Sequence, residues 1–330
     1  MRSRLVTIGL AVLLSTVSAS GQEERNAITN LTLFAGTGEG LWRSADWGRS
    51  WERVEGDTVG VHLTTLGAAR AIVPHGPQVW VAGDGGLFGS RDFGETWTPL
   101  STTEGISSLL LSRWPHADPT VFVGTAGGLL RSRDGGRSFA PTALVTGPVH
   151  HLEWPGPALV VAGAAGLLVT LDEGQTFADP GQGLPEGEVL AMALSSFFGA
   201  DPVLFAAPAG GGVYRSGDGG ATWAPAGMDG EIVRDLVWLG PFLYAAAEGG
   251  FFRSDNSGQT WTRLADSPGK PARLLFPLAP AAGLEAFLAT DKGLFHSSDT
   301  GSHWSPMGFE GEEVFTVATF PPPALDLGKE

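Results

Sequence analysis

Short runs of alternating apolar and polar residues recur along the chain, separated by turns that are rich in glycine. Between residues 106 and 140 such runs cover 106–112, 120–124, Gly128–Ser132 and 137–140. Alternation with a period of two, interrupted every few residues by glycine, predicts short β-strands and not helices. The sequence therefore predicts an all-β fold in which this stretch contributes four strands.

One motif accompanies these strands seven times. It reads Gly, two apolar residues, any residue, Ser or Thr, any residue, Asp, any residue, Gly, any residue, Ser or Thr, and an aromatic residue. The Asp position lies 38 to 46 residues from its successor, and His303 replaces the second Ser or Thr in the last copy. A steady period of this length is typical of propellers and solenoids. The Asp position is held by Asp46, Asp92, Asp134, Asp172, Asp218, Asn256 and Asp299.

The residue types of the motif predict a tight turn, which we call the clip turn. A short carboxylate accepts hydrogen bonds from backbone N–H groups just ahead of it, as in an Asx-turn. The glycine two residues later tolerates a positive φ, and the Ser or Thr hydroxyl adds a local hydrogen bond. The motif lacks the bidentate Glu and the further oxygen ligands of a calcium loop. We therefore expect a structural role, with no bound metal or cofactor.

The consensus Ser-x-Asp-x-Gly-x-Thr-Trp, as in residues 216–223, resembles the Asp box, also called the bacterial neuraminidase repeat. That repeat occurs in sialidases, sortilin-type receptors, xyloglucan-cleaving glycosidases and photosystem II assembly-factor propellers. The resemblance implies a β-propeller. It specifies little about function, because a fold hosts many chemistries.

Counting strands predicts how the ring closes. Innermost strands are expected for blades two to seven, whereas the first unit begins at 31–35, which has the character of a second strand. The leftover segment 314–319 has the character of a first strand, and we expect it to complete blade one and leave no long sheet edge open. Residues 22–330 are thus expected to form a closed seven-bladed β-propeller of four-stranded blades. The expected innermost strands of blades two to seven are 61–66, 106–111, 149–154, 189–194, 232–239 and 272–277.

The N-terminus has the pattern of a secretory signal peptide. Arg2 and Arg4 precede an apolar run at 5–14, and small residues follow at 17–21. This order of charged, apolar and small residues predicts a signal peptide over residues 1–21 and export to the periplasm or beyond the cell. The run is too short to span a bilayer comfortably, although a retained anchor stays an alternative.

Composition excludes several classes of function. The 330 residues carry 20 Lys and Arg against 35 Asp and Glu, a formal net charge of −15, which argues against a nucleic-acid partner. The absence of cysteine excludes disulfides, thiolate catalysis and cysteine metal sites. A hydrophobic fraction of 42% supports a folded core.

Sialidase chemistry is not expected. It requires a tyrosine nucleophile, yet Tyr214 and Tyr244 fall in columns that are otherwise apolar when the units are aligned. The arginines that precede the clip turn repeat from unit to unit, which indicates a structural role. His150 and His151 are adjacent on a predicted strand, so only one of them is expected to face the channel. A glycosidase that uses two carboxylates, or a polysaccharide-binding protein, stays open as an alternative.

Acidic residues occupy the turns between the second and third strands in four blades that are contiguous in the predicted ring. We interpret this acidic arc as a contact surface for a basic segment of a protein partner. The alternative is ordinary solvated carboxylates of an exported acidic protein. Photosystem II assembly factors are expected, by the same resemblance, to use a basic patch, which sets this chain apart from them. The acidic arc consists of Glu39, Asp84, Glu248 and Asp291.

Overall fold

Seven antiparallel sheets follow one another along the chain in the computed structural model. It describes residues 32–55, 63–112, 117–154, 158–178, 181–195, 201–239, 241–276 and 285–320. The predicted signal peptide lies outside these residues. Within them the helical content is a single short 3₁₀ helix, Leu63–Leu66, and no helix is long and apolar enough to cross a membrane.

Each sheet forms one blade. Blade one contains β1 (Thr32–Thr37), β2 (Gly40–Ser44) and β3 (Glu52–Arg53). Blade two contains β4 (Ala69–His75), β5 (Gln78–Gly83), β6 (Gly86–Ser90) and β7 (Thr98–Ser101). Blade three contains β8 (Ile106–Leu111), β9 (Val121–Thr125), β10 (Gly128–Ser132) and β11 (Ala140–Thr146). Blade four contains β12 (Val149–Glu153), β13 (Leu159–Gly163) and β14 (Gly166–Thr170).

The remaining strands complete the ring. Blade five contains β15 (Val189–Leu194), β16 (Leu204–Pro208), β17 (Tyr214–Ser216) and β18 (Ala224–Pro225). Blade six contains β19 (Val233–Leu239), β20 (Phe242–Ala247), β21 (Gly250–Ser254) and β22 (Thr262–Ala265). Blade seven contains β23 (Pro271–Leu275), β24 (Ala286–Thr290), β25 (Gly293–Ser297) and β26 (Ser305–Gly308). The last strand, β27 (Val314–Phe320), returns to blade one.

The ring closes as the sequence predicts. β27 pairs antiparallel with β1, with Leu33 opposite Thr319 and Ala35 opposite Val317. The innermost strand of every blade contacts the innermost strand of the next, and β27 contacts both β23 and β4. These seven strands surround a central channel. The seven-bladed β-propeller with a C-terminal strand that completes blade one is therefore confirmed.

Two strand predictions are wrong. The innermost strand of blade two is β4 and not 61–66, where residues 63–66 form the 3₁₀ helix. Leu63 and Leu66 are both buried, and a spacing of three residues places them on one side of a 3₁₀ turn. In blade three the outer strand is β11, which begins where the predicted strand at 137–140 ends.

Blade four departs from the four-stranded pattern. Its described residues form three strands, and a single bridge between Val169 and Ala178 stands where the outer strand begins in other blades. The chain then crosses toward blade five, where Gln182 bridges to Thr222 of the next clip turn. The segment that follows the described strands of blade four thus pairs with blade five.

The hydrophobic core lies between the faces of adjacent blades. One cluster, for example, joins Leu33 and Ala35 of blade one to Phe287 and Ala289 of blade seven. These four residues are fully buried. Burial of a large apolar side chain contributes about 1.5–3 kcal/mol, so contacts of this kind hold the blades together around the channel.

Candidate functional site

The mouth of the central channel is where the turns between second and third strands meet the first residues of the innermost strands. All four residues of the acidic arc lie in these turns and are exposed. They belong to blades six, seven, one and two, which follow one another around the closed ring. The clip turns lie at the opposite end of the blades, because they connect third to fourth strands.

A β-bulge interrupts every innermost strand near this mouth. In each blade the register shifts by one residue beside the second strand. A bulge places one additional residue outside the alternation of a strand and re-aims its side chain. The additional residues are Arg70, Ser107, His150, Leu190, Arg234, Ala272 and Phe315.

Bulge arginines form ion pairs with two members of the acidic arc. The guanidinium of Arg70 donates from Nε to Oδ1 of Asp84 at 2.7 Å, and a second N–H donates to Oδ2 at 3.4 Å. Arg234 makes the equivalent ion pair with Glu248, with Nε 2.9 Å from Oε1. Neither arginine is among the site residues predicted from the sequence. Both pairs are separated by 14 residues, a signal that could have revealed them.

The other two arc residues have different surroundings. The carboxylate of Asp291 accepts a hydrogen bond of 2.8 Å from the backbone N–H of Lys270. Glu39 has no side-chain hydrogen bond or ion pair among the described residues; its backbone N–H donates to Thr37 at 3.1 Å. The arc therefore presents two arginine-paired carboxylates, one that is bonded to backbone, and one, Glu39, without a side-chain partner in the part of the chain that the structure describes.

Below the mouth the channel contains a cavity of about 610 Å³. Blades one, two, three, four and seven contribute its walls, and the polar side chains of His150, His151, Glu153 and Arg273 are among those that line it. The expectation that only one of the two histidines faces the channel is wrong. That expectation assumed strict alternation of side chains, which the bulge between Val149 and His151 removes. In addition, Nε2 of His150 lies 2.7 Å from Oε1 of Glu188 at the mouth.

A buried carboxylate of blade six acts electrostatically on His151 and Glu153 of the cavity. Asp235 is 1% exposed and accepts hydrogen bonds from the backbone N–H groups of Leu236 at 3.0 Å and Leu274 at 2.7 Å. The second bond joins blade six to blade seven. Arg273 approaches the same carboxylate, with Nε 4.0 Å from Oδ2.

The channel environment shifts two titratable groups. Burial lowers the pKa of His151 to about 4, against an opposing effect of Asp235, so its imidazole is neutral at pH 7. Glu153 is exposed to the channel space, but the surrounding walls desolvate its carboxyl and raise its pKa, whereas Arg273 opposes that change. The channel walls thus shift both side chains, which lie on one strand, toward their neutral forms.

The residues considered for sialidase chemistry serve packing. Tyr244 is 1% exposed and lies between Phe251 and Phe276, and burial raises its pKa. Tyr214 packs against the apolar cluster between blades four and five. The arginine before the clip turn of blade three, Arg131, forms an ion pair with Glu173 in the clip turn of blade four.

The clip turns share one set of hydrogen bonds. In blade one, Ser44 Oγ donates to Oδ1 of Asp46 at 2.8 Å, and the N–H of Gly48 donates back to Ser44 Oγ at 2.7 Å. The N–H and Oγ–H of Ser50 donate to the two oxygens of Asp46. The remaining six turns repeat the bond from the motif's first hydroxyl to the Asp or Asn side chain, at Asp92, Asp134, Asp172, Asp218, Asn256 and Asp299. Among the residues that the structure describes, no group of three His, Asp or Glu could hold a metal ion.

Solved structures with the same fold include proteins of different kinds. An ancestral GH74 enzyme is 15% identical with a TM-score of 0.64, over 87% of this chain and 47% of the enzyme. YCF48, a photosystem II assembly factor, bound to D1 peptide is 17% identical with a TM-score of 0.58, over 79% of this chain and 86% of YCF48. YCF48 from Cyanidioschyzon merolae is 16% identical with a TM-score of 0.59, over 78% and 88% of the two chains. The chain thus spans about half the length of the enzyme it matches.

No protein-family model matches the chain, and no curated protein has a matching sequence. At these identities the likeness establishes the fold alone. The fold is shared by an enzyme and by a protein that binds a peptide.

Proposed function

We propose that this chain is an exported, non-enzymatic interaction platform that binds a protein partner at the channel mouth. The observation that carries the proposal is the row of exposed carboxylates on four successive blades, two of which are held in place by bulge arginines. Side chains that are already ordered lose less conformational entropy when a partner binds. The export is proposed from the pattern of residues 1–21 alone.

The partner is proposed to present lysine or arginine side chains. Each carboxylate of the Asp84 and Glu248 ion pairs keeps lone pairs for a second donor, since a carboxylate accepts about four hydrogen bonds. Glu39 adds a charge without a counterion among the described residues, and the net charge of −15 favours long-range attraction of a basic segment. Charge complementarity of this kind raises the association rate and fixes the orientation of the complex.

Affinity capture from an envelope extract of the source organism tests the proposal. The bait proteins are the parent, a mouth variant (Glu39→Gln, Asp84→Asn, Glu248→Gln, Asp291→Asn) and a control variant with four amide substitutions at or beside the clip turns (Glu52→Gln, Glu95→Gln, Glu173→Gln, Asp255→Asn). The two variants change the net charge equally. We expect one partner to bind the parent and the control and to be lost from the mouth variant. Equal binding to all three folded proteins would refute the proposal.

A second candidate function is carbohydrate cleavage or binding. One observation favours it: burial raises the pKa of Glu153 inside the channel, and a general acid of a glycosidase needs a raised pKa. Asp235, which is buried at the seam between blades six and seven, uses both carboxylate oxygens for backbone hydrogen bonds. A screen of polysaccharides with the parent and Glu153→Gln decides this point: hydrolysis that disappears in the variant would establish an enzyme.

A further inference from the structure

The cavity inside the channel opens at the mouth and has features of a small-molecule site that extends inward from it. Its volume of about 610 Å³ lies within the range of about 300–1,000 Å³ that is usual for ligand pockets. Arg273 of blade seven lines it, as do His151 and Glu153 of blade four across the ring. Apolar side chains that remain partly exposed, including Val73 and Leu110, line it as well. The wall therefore carries both polar and apolar side chains.

Within the described part of the chain, the three polar side chains have no protein partner for hydrogen bonding. Among the described residues neither His151 nor Glu153 has a side-chain hydrogen bond or an ion pair. The nearest acidic atom to Arg273 is Oδ2 of Asp235 at 4.0 Å, which is beyond hydrogen-bonding distance. The carboxylate oxygens of Asp235 instead accept hydrogen bonds from the backbone N–H groups of Leu236 and Leu274. The guanidinium is thus attracted to the wall of the channel while its donors stay available.

Arg273 and His151 are donors of the kind that a carboxylate requires, and Glu153 becomes one when it is protonated. A guanidinium presents a planar fork of N–H groups that matches a carboxylate in a two-point contact. A neutral imidazole offers one N–H, and a protonated carboxyl offers one O–H. The apolar side chains that also line the cavity suit a hydrocarbon body.

We propose that the channel binds a small carboxylate with an apolar body, held by Arg273 and His151, and that Glu153 takes up a proton on binding and donates to the same ligand. A bound anion also favours the protonated form of Glu153. The charged groups that face Glu153 are Arg273 on β23 and Asp235 on β19. Those that face His151 are the same two and His150 on its own strand. Binding is therefore accompanied by proton uptake and weakens as pH rises.

Ligand-observed NMR with the full-length mature chain tests the site. The probes are phenylacetate, 3-phenylpropanoate and hexanoate, each paired with its primary amide. We expect the acids to bind at least about tenfold more tightly than the amides, because charge-assisted hydrogen bonds are the stronger ones. Arg273→Gln should abolish that preference. Arg263→Gln, which removes an exposed outer-strand arginine, is the matched control and should leave it unchanged.

Glu153→Gln separates the site from a folding effect. This variant keeps a donor at residue 153 and removes the titrating proton, so we expect it to bind the acids with a weaker pH dependence. Circular dichroism confirms that each variant is folded. Equal binding of acids and amides, unchanged binding by folded Arg273→Gln, or no binding of any probe at 10 mM (roughly the weakest useful affinity for such fragments) would overturn the proposal. Loss of partner capture by the mouth variant bears on the interaction platform and not on this site.

Discussion

Arg70 and Asp84 form a two-point ion pair at the channel mouth, with Nε 2.7 Å from Oδ1 and a terminal nitrogen 3.4 Å from Oδ2. The arginine is the bulge residue of β4, and the aspartate lies in the turn that follows β5. The same guanidinium lies 4.6 Å from the ring centroid of Phe315, the bulge residue of blade one. One side chain therefore fixes the position of an arc carboxylate and contacts the neighbouring blade.

Arg70→Gln tests whether this ion pair stabilises the fold or mainly positions Asp84. Both partners are well exposed, and exposed ion pairs contribute about 0–1 kcal/mol. We expect the free energy of unfolding in urea to fall by less than about 1 kcal/mol. A loss of several kcal/mol would contradict the account and give the pair a mainly structural role.

Gly301 of the last clip turn packs against a ring of the preceding blade. Its φ is +89°, and a Cβ there would lie 2.0 Å from Cε1 of Phe251. We expect Gly301→Ala to lower the free energy of unfolding by about 2–5 kcal/mol, because the strain of a positive φ adds to overpacking. Urea unfolding measures this change.

Gly105→Ala is the matched control for that substitution. Gly105 also has a positive φ, of +66°, but no atom lies within 4 Å of its added Cβ. Gly105→Ala should therefore lower the free energy of unfolding by only about 1–2 kcal/mol, from backbone strain alone. Equal losses of unfolding free energy at the two positions would show that the contact between the clip turn and the neighbouring blade contributes nothing to stability.

The clip-turn aspartates should make the fold sensitive to acid. Hydrogen bonds from the side chain and backbone of Thr176 lower the pKa of Asp172 from 3.8 to about 2. Between pH 4 and 2 the unfolded chain binds more protons than the folded one, so this contribution is present above pH 4 and is lost as pH falls toward 2. The melting temperature, measured from pH 7 to 2, should fall steeply in that interval.

The clip turn of blade six provides a matched pair of variants. There Asn256 accepts from the N–H of Thr260 and donates to its hydroxyl without titrating. Asp172→Asn should therefore flatten the acid dependence, and Asn256→Asp should steepen it. An unchanged profile in both variants would contradict the assignment of the acid sensitivity to the clip turns.

Asp235 should be necessary for the seam between blades six and seven. It is almost fully buried, and Asp235→Ala would leave the N–H groups of Leu236 and Leu274 without their acceptor. We expect a loss of about 3 kcal/mol in urea unfolding, because hydrogen bonds to charged groups contribute about 1.5–3 kcal/mol each. Asp235→Asn, which keeps one acceptor oxygen, should lose less. A loss below about 1 kcal/mol for the alanine variant would contradict this role.

The closed ring of blades could be predicted from the sequence because the same motif recurs in every blade. Seven clip turns at a steady period and one unpaired strand-like segment at 314–319 are sufficient to give the blade count and the closure through β27. The exposed positions of the acidic arc could be predicted as well. Each depends only on its place in a turn between two recognised strands.

The channel wall could not be predicted, because bulges do not follow the period of a strand. An additional residue between Val149 and His151 changes which side chains face the cavity, and no residue type at that position signals it. The orientation of Arg70 and Arg234 likewise depends on a register shift in the folded ring. Their shared separation of 14 residues from an acid of the arc is nevertheless a signal that the sequence contains.

The central claim is that the channel mouth binds the partner, and the affinity of the purified partner tests it most directly. The dissociation constant is measured for the parent, the mouth variant and the clip-turn control variant at two salt concentrations. The account predicts at least about tenfold weaker binding for the mouth variant, a change within about threefold for the control, and weaker binding of the parent at high salt. Equal affinities for the mouth variant and the parent, or a larger loss in the control, would contradict it.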